Sequence, residues 1–118
     1  MDTVTGIGGV FIKAKDPKAL ASWYQEHLGI NFKGGAYVEF TAPGHTVFSF
    51  FKEDSTYFQP SDKKYMINLR VQNLRSLLTE LTKKGITTVG EIQEFDYGVF
   101  GSIMDPEGNK IELWEPKE

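Results

Sequence analysis

The sequence has 118 residues, the size of one domain, with 25% charged residues and a formal net charge of -3. That balance lacks the concentrated positive face that non-specific nucleic-acid binding needs. No apolar run approaches the roughly 18 residues of a membrane span, "MDTVTGIGG" lacks a secretory signal pattern, and without cysteine there is no disulfide frame or thiolate site. A soluble cytoplasmic protein is expected. The unusual figure is an aromatic share of 14%, enough to line a pocket as well as a core.

In chain order, "GGVFIKAK" reads as a strand, rich in β-branched and aromatic residues. Asp16-Pro17 then starts a helix, because Asp accepts from free N–H groups and Pro suits the first helical position. Leu20, Trp23, Tyr24, His27 and Leu28 follow at helical spacing, and Gly29 ends the run. Next come the extended pieces "INFKGG", "AYVEFTA" and "TVFSFFK", separated by "GG" and "APGH" turns. "EDSTYFQPSDKK" is polar and turn-rich and reads as a linker, in which Tyr57 and Phe58 are suited to cover something.

The second half repeats this order. "YMINLRV" is a strand, Asn73 a cap, and Leu74, Leu77, Leu78 and Leu81 form a helical stripe that Gly85 terminates. "TTVGEIQEF", "GVFGSIM" and "NKIELWE" are strands, the last two joined by the turn Asp105-Pro106-Glu107-Gly108. A repeat of element order and punctuation implies two copies of one unit. The expected fold is α+β: two tandem βαβββ units forming curved mixed sheets around a cavity, with helices outside. Unit one covers about 6–53, the linker about 54–63 and unit two about 64–116 of a single domain spanning 1–118. Whether the inner sheet faces enclose a cleft or a plain core stays open at this point.

The stretch "VFIKAKDPKALASWYQEHLGI", followed by "MDPEGNKIELWEP", resembles the vicinal oxygen chelate superfamily, which includes glyoxalase I, extradiol dioxygenases, fosfomycin-resistance and bleomycin-resistance proteins. In its metal-dependent members the resemblance implies four inward ligand positions, His or Glu, on the first and last strands of each unit. Here these fall on Gly9, Ser49 (or Phe48 with the turn shifted by one), Met66 and Glu112. Only Glu112 keeps a ligand type. His45 shares the strand parity of Ser49 but stands roughly 13 Å away at about 3.3 Å per residue, against a metal bond of about 2 Å. His27 lies on the first helix. No metal and no cofactor is therefore expected.

With Glu112 inward, alternation places Lys110 and Trp114 on its face, Met66, Asn68 and Arg70 on another inward face, and Phe11 and Ser49 on unit one. Such a surface suits a mostly apolar small-molecule pocket with a few placed polar groups. Phe11, Ser49, Met66, Asn68, Arg70, Glu112 and Trp114 are the candidate ligand-binding residues, although the aromatic ones equally suit a plain core. Glu112 has three open roles: an ion pair with Arg70 or Lys110, contact with a ligand, or proton transfer from a carboxylate whose pKa desolvation raises. The expected protein is a homodimer that binds a small hydrophobic or aromatic molecule without a metal, like the drug-binding members the resemblance implies. A metal-dependent lyase or dioxygenase-like enzyme with a non-standard site is the alternative, and a dimerising module without ligand is a third reading.

Overall fold

The computed structural model of the chain describes residues 2–32 and 35–117. Helix α1 spans Pro17–Leu28. Asp16 caps it as expected, its Oδ1 accepting from the Ala19 N–H at 3.1 Å, and Gly29 closes it in the left-handed region at φ 70°.

Unit two is a complete βαβββ unit: β1 (Ile67–Arg70), α2 (Leu74–Lys83), β2 (Thr88–Phe95), β3 (Gly98–Met104) and β4 (Lys110–Pro116). The strands form one mixed sheet in the order β1-β4-β3-β2. Strand β1 pairs parallel with β4, and the other pairs are antiparallel. The parallel pair requires a crossover, which α2 supplies. The α2 stripe packs its buried Leu74, Leu78 and Leu81 on Val99, Ile103, Ile111 and Leu113. Gly101 permits this approach, because a Cβ there would stand 2.5 Å from Leu78 Cδ1. Asn73 precedes α2 but makes no side-chain cap bond. The Glu115 carboxylate supplies the cap instead, accepting from the Leu74 N–H at 2.8 Å.

The Asp-Pro-Glu-Gly-Asn turn between β3 and β4 works as a clamp. Buried Asp105 accepts from the Glu107 and Asn109 backbone N–H groups, both at 2.9 Å, and from the Asn109 side-chain amide at 2.8 Å. Tyr24 of α1 donates its hydroxyl to the same carboxylate at 2.7 Å. Glu107 reaches the other way, accepting from the Lys15 and Asp16 N–H groups at 2.7 and 3.1 Å. One turn thus fastens the start and middle of α1 to the sheet, while Trp23, Tyr24 and Leu28 pack on the core.

Unit one differs from expectation. "GGVFIKAK", "INFKGG", "AYVEFTA" and "TVFSFFK" run without sheet pairing among the described residues, apart from an isolated bridge at Tyr37. Lys33 and Gly34 of the second stretch lie outside the described residues. The physical reason is visible in Val47, Phe48, Phe50 and Phe51, closely spaced apolar side chains that all stay exposed even where Phe51 meets Tyr57 and Phe58. Strands apolar on both faces are stable where both faces are covered, and most of this surface is not.

The clamp yields a graded expectation. Asp105→Ala strips four donors of their acceptor and should cost about 3 kcal/mol, whereas Tyr24→Phe removes one bond and should cost about 1 kcal/mol. Urea unfolding of the two variants measures the difference.

Candidate functional site

Strand β4 is central in the sheet, and its side chains alternate between two environments. Ile111 and Leu113 point into the α2 core. Lys110, Glu112 and Trp114 point the other way, and the register sets Asn68 and Ser102 opposite Glu112, Arg70 and Phe100 opposite Trp114, and Met104 opposite Lys110. These residues make a mixed polar and aromatic face opposite the helix.

Glu112 is 9% exposed. One carboxylate oxygen accepts from Asn68 Nδ2 at 2.8 Å, and the other accepts from the Tyr57 hydroxyl. Lys110 is buried as well; its ammonium donates to the Tyr57 backbone carbonyl and sits 4.2 Å from the centre of the Tyr57 ring. That ring stacks on Phe51, with centroids 5.8 Å apart and planes 17° apart. Burial pushes the Tyr57 phenol above its ordinary pKa, and the hydrogen bond to anionic Glu112 pushes it further the same way. Burial pulls the Lys110 ammonium below its ordinary value, opposed by the nearby Glu112 charge.

An aromatic wall continues the face toward the β2–β3 turn. Phe100 and Trp114 stack at 5.8 Å with planes 7° apart. The Trp114 indole donates to the Tyr97 carbonyl at 3.0 Å, and the Tyr97 ring meets Phe100 edge-on. Between the wall and the polar cluster lies a cleft of about 120 Å³ lined by Tyr57, Gln93, Phe100, Ser102 and Lys110, among others. A wider groove of about 560 Å³ runs between α2 and β2.

Of the seven expected site residues, the structure joins Asn68 and Glu112 directly and places Arg70 and Trp114 in the next row of the same face. Met66 is half-buried just before β1. Phe11 is 94% exposed, its ring folded over Gly9, and Ser49 lies in the exposed stretch of unit one. The Arg70–Glu112 pair does not form. Arg70 stands beside Trp114 and its guanidinium donates to the His45 carbonyl, lying where a Cβ on Gly44 would clash. The ion pairs among the described residues join Glu94 to Arg75 and Lys117, not Glu112 to any cation. Sequence reasoning leaves Tyr57 and Lys110 out of the site. The signals that point to them are two aromatic residues in a polar linker and the alternation that puts Lys110 on the Glu112 face.

The donors do not fit a resident divalent ion of the kind that the metal-dependent relatives carry. Both Glu112 oxygens are engaged by a phenol and an amide, Gly9, Ser49 and Met66 add no carboxylate or imidazole, and an ammonium stands nearby. Among the described residues no three His, Cys, Asp or Glu side chains cluster as a metal site.

Residues 9–114 match the family described as Glyoxalase-like domain. The chain belongs to that family, within the vicinal oxygen chelate superfamily. Among solved structures it is similar to a glyoxylase/bleomycin resistance protein/dioxygenase domain from Frankia sp. EAN1pec, with a TM-score of 0.60 at 18% identity over 98% of this chain and 100% of that one. An integron cassette protein from the mobile metagenome of V. Cholerae gives 0.56 at 18% identity over 96% and 98% of the two chains. TnmS3, an antibiotic binding protein from Streptomyces sp. CB03234, gives 0.52 at 16% identity over 88% of each. Identities this low establish the fold. No curated protein matches the sequence.

The Tyr57 contact carries a pH signature. A phenol whose folded pKa lies above its unfolded value of about 10 stabilises the fold below that pH, and the stability is lost as pH rises toward the folded value. Tyr24, raised by burial and by Asp105, acts in the same direction. Phenolate absorbance should show Tyr24 and Tyr57 ionising after ordinary tyrosines, and Tyr57→Phe should flatten the fall in stability above about pH 10.

Proposed function

We propose that the protein binds a small hydrophobic or aromatic molecule on the open face of β3 and β4, without a metal. The observation that carries this reading is the face itself: a stacked Phe100–Trp114 wall beside the buried Glu112 and Lys110 that Tyr57 joins by hydrogen bonds, with a cleft between them. Mostly apolar walls with a few converging polar groups are the usual make-up of small-molecule sites. Family membership and the fold shared with an antibiotic binding protein support the same class of function. Catalysis finds less support, because among the described residues the cations of this face, Lys110 and Arg70, are already engaged by backbone carbonyls.

The working unit proposed is a homodimer. The chain exposes 9195 Å², whereas a compact monomer of 13.3 kDa exposes about 6,500 Å². Val10, Phe11, Phe48 and Phe50 of unit one are among the chain's exposed large apolar side chains, and a stable interface needs only about 1,600 Å² in total. Light scattering across a concentration series should give twice the chain mass, and a monomer throughout would remove the dimer.

For the binding itself, thermal unfolding against a panel of planar aromatic compounds is the test. A ligand at a hundred times its Kd should add about 2.7 kcal/mol, several degrees in Tm. Elemental analysis of untagged protein should find no stoichiometric divalent metal. A bound metal lost on Glu112→Ala would overturn the metal-free reading.

A further inference from the structure

Tyr57 belongs to a segment built from short local turns: Ser55 N–H to Lys52, Gln59 N–H to Thr56 and Ser61 N–H to Phe58. Among the described residues, the hydrogen bonds from this segment to the sheet are the two made by Tyr57, hydroxyl to Glu112 and carbonyl from Lys110. Its ring, 38% exposed, lies between Phe51 and the Lys110 ammonium. A linker residue is thus the counterpart of two buried charged groups on the central strand. The segment is fastened there at one residue.

Resting on the reading of this face as the ligand site, we propose that Tyr57 occupies the ligand's own position as a displaceable strap, and that the ligand is a neutral hydroxyaryl carbonyl compound. Such a molecule offers a hydroxyl donor to Glu112, a carbonyl acceptor to Lys110 and an aromatic ring for Phe51 and the ammonium. The charges select neutrality. Lys110 and Glu112 stand two residues apart on one face and offset each other, so a ligand carboxylate would lie near Glu112 and a ligand ammonium near Lys110. Desolvation selects the two polar groups. A plain hydrocarbon that displaced Tyr57 would leave a buried ammonium without its acceptor and a buried carboxylate short of a donor, a penalty that falls on binding. Asn68 stays on the first Glu112 oxygen at 2.8 Å and fixes the carboxylate, leaving the second oxygen for the incoming hydroxyl.

The test measures Kd by ligand-observed NMR for three probes: para-hydroxyacetophenone, its methyl ether and acetophenone. Each is titrated into the wild-type chain, Tyr57→Ala, and Tyr57→Ala combined with Glu112→Gln. Removing the Tyr57 side chain frees the Glu112 oxygen and the ring position, while the backbone carbonyl on Lys110 remains to be displaced. It should strengthen para-hydroxyacetophenone binding roughly tenfold, and the hydroxyl should be preferred over the ether roughly tenfold, each one hydrogen bond to a charged group in size. The preference should shrink in the double variant. Tyr57→Phe, which removes only the hydroxyl and keeps the ring, should also strengthen binding of the hydroxyl probe and covers the case in which the alanine variant does not fold. Equal affinity for the three probes, with no gain on removing Tyr57, would overturn the strap and its template while leaving an aromatic site in place. Failure of every probe to bind either wild type or the variants would overturn both.

Discussion

The structure depends on strand β4 being buried on both faces by different chemistry. Its place between β1 and β3 gives it ladder bonds on both edges, so its side chains alone decide what each face does. Ile111 and Leu113 are fully buried and hold α2, and each buried aliphatic side chain contributes about 1.5–3 kcal/mol of transfer free energy. Because the side-chain period is two, that same register commits Lys110, Glu112 and Trp114 to the opposite face. A slip by one residue would bring a lysine and a glutamate into the leucine core. The core therefore fixes where the polar cluster stands.

Burying a carboxylate and an ammonium two residues apart calls for partners that leave neither unmatched. They are met mainly by neutral groups: the Tyr57 phenol and Asn68 amide for Glu112, and the Tyr57 carbonyl and ring for Lys110. Neutral hydrogen-bond partners meet both charges without adding a further ion to the face. With both Glu112 oxygens engaged and an ammonium nearby, this is a poor setting for a divalent ion. The nearby stacked Phe100 and Trp114 add apolar aromatic area to the same face.

Local signals make both helices and the strands of unit two legible in the sequence. The Asp16 cap, the glycine stops and the leucine stripe of α2 each rest on residues close together in the chain. Period-two alternation pairs Asn68 with Arg70 and Glu112 with Trp114, and the β1–β4 register then joins the two pairs on one face. What depends on distant pairing is not legible there. Tyr57 meets Glu112 across 55 positions of sequence, and Tyr24 meets Asp105 across 81; no spacing rule reaches that far. Asn73 is the right residue type to cap α2, but a carboxylate from β4 reaches the first N–H of that helix instead. The strands expected in unit one are absent among the described residues, where their apolar side chains stay largely exposed.

The most direct measurement is a protein-observed NMR map of where an aromatic probe such as para-hydroxyacetophenone binds. Binding on this face should shift the amides of Phe100, Ser102, Glu112 and Trp114 together with the Trp114 indole, and leave the exposed side of α2 unmoved. Shifts confined to α2 and the groove beside β2, or no saturable shift anywhere, would contradict a ligand site on the open face of β4.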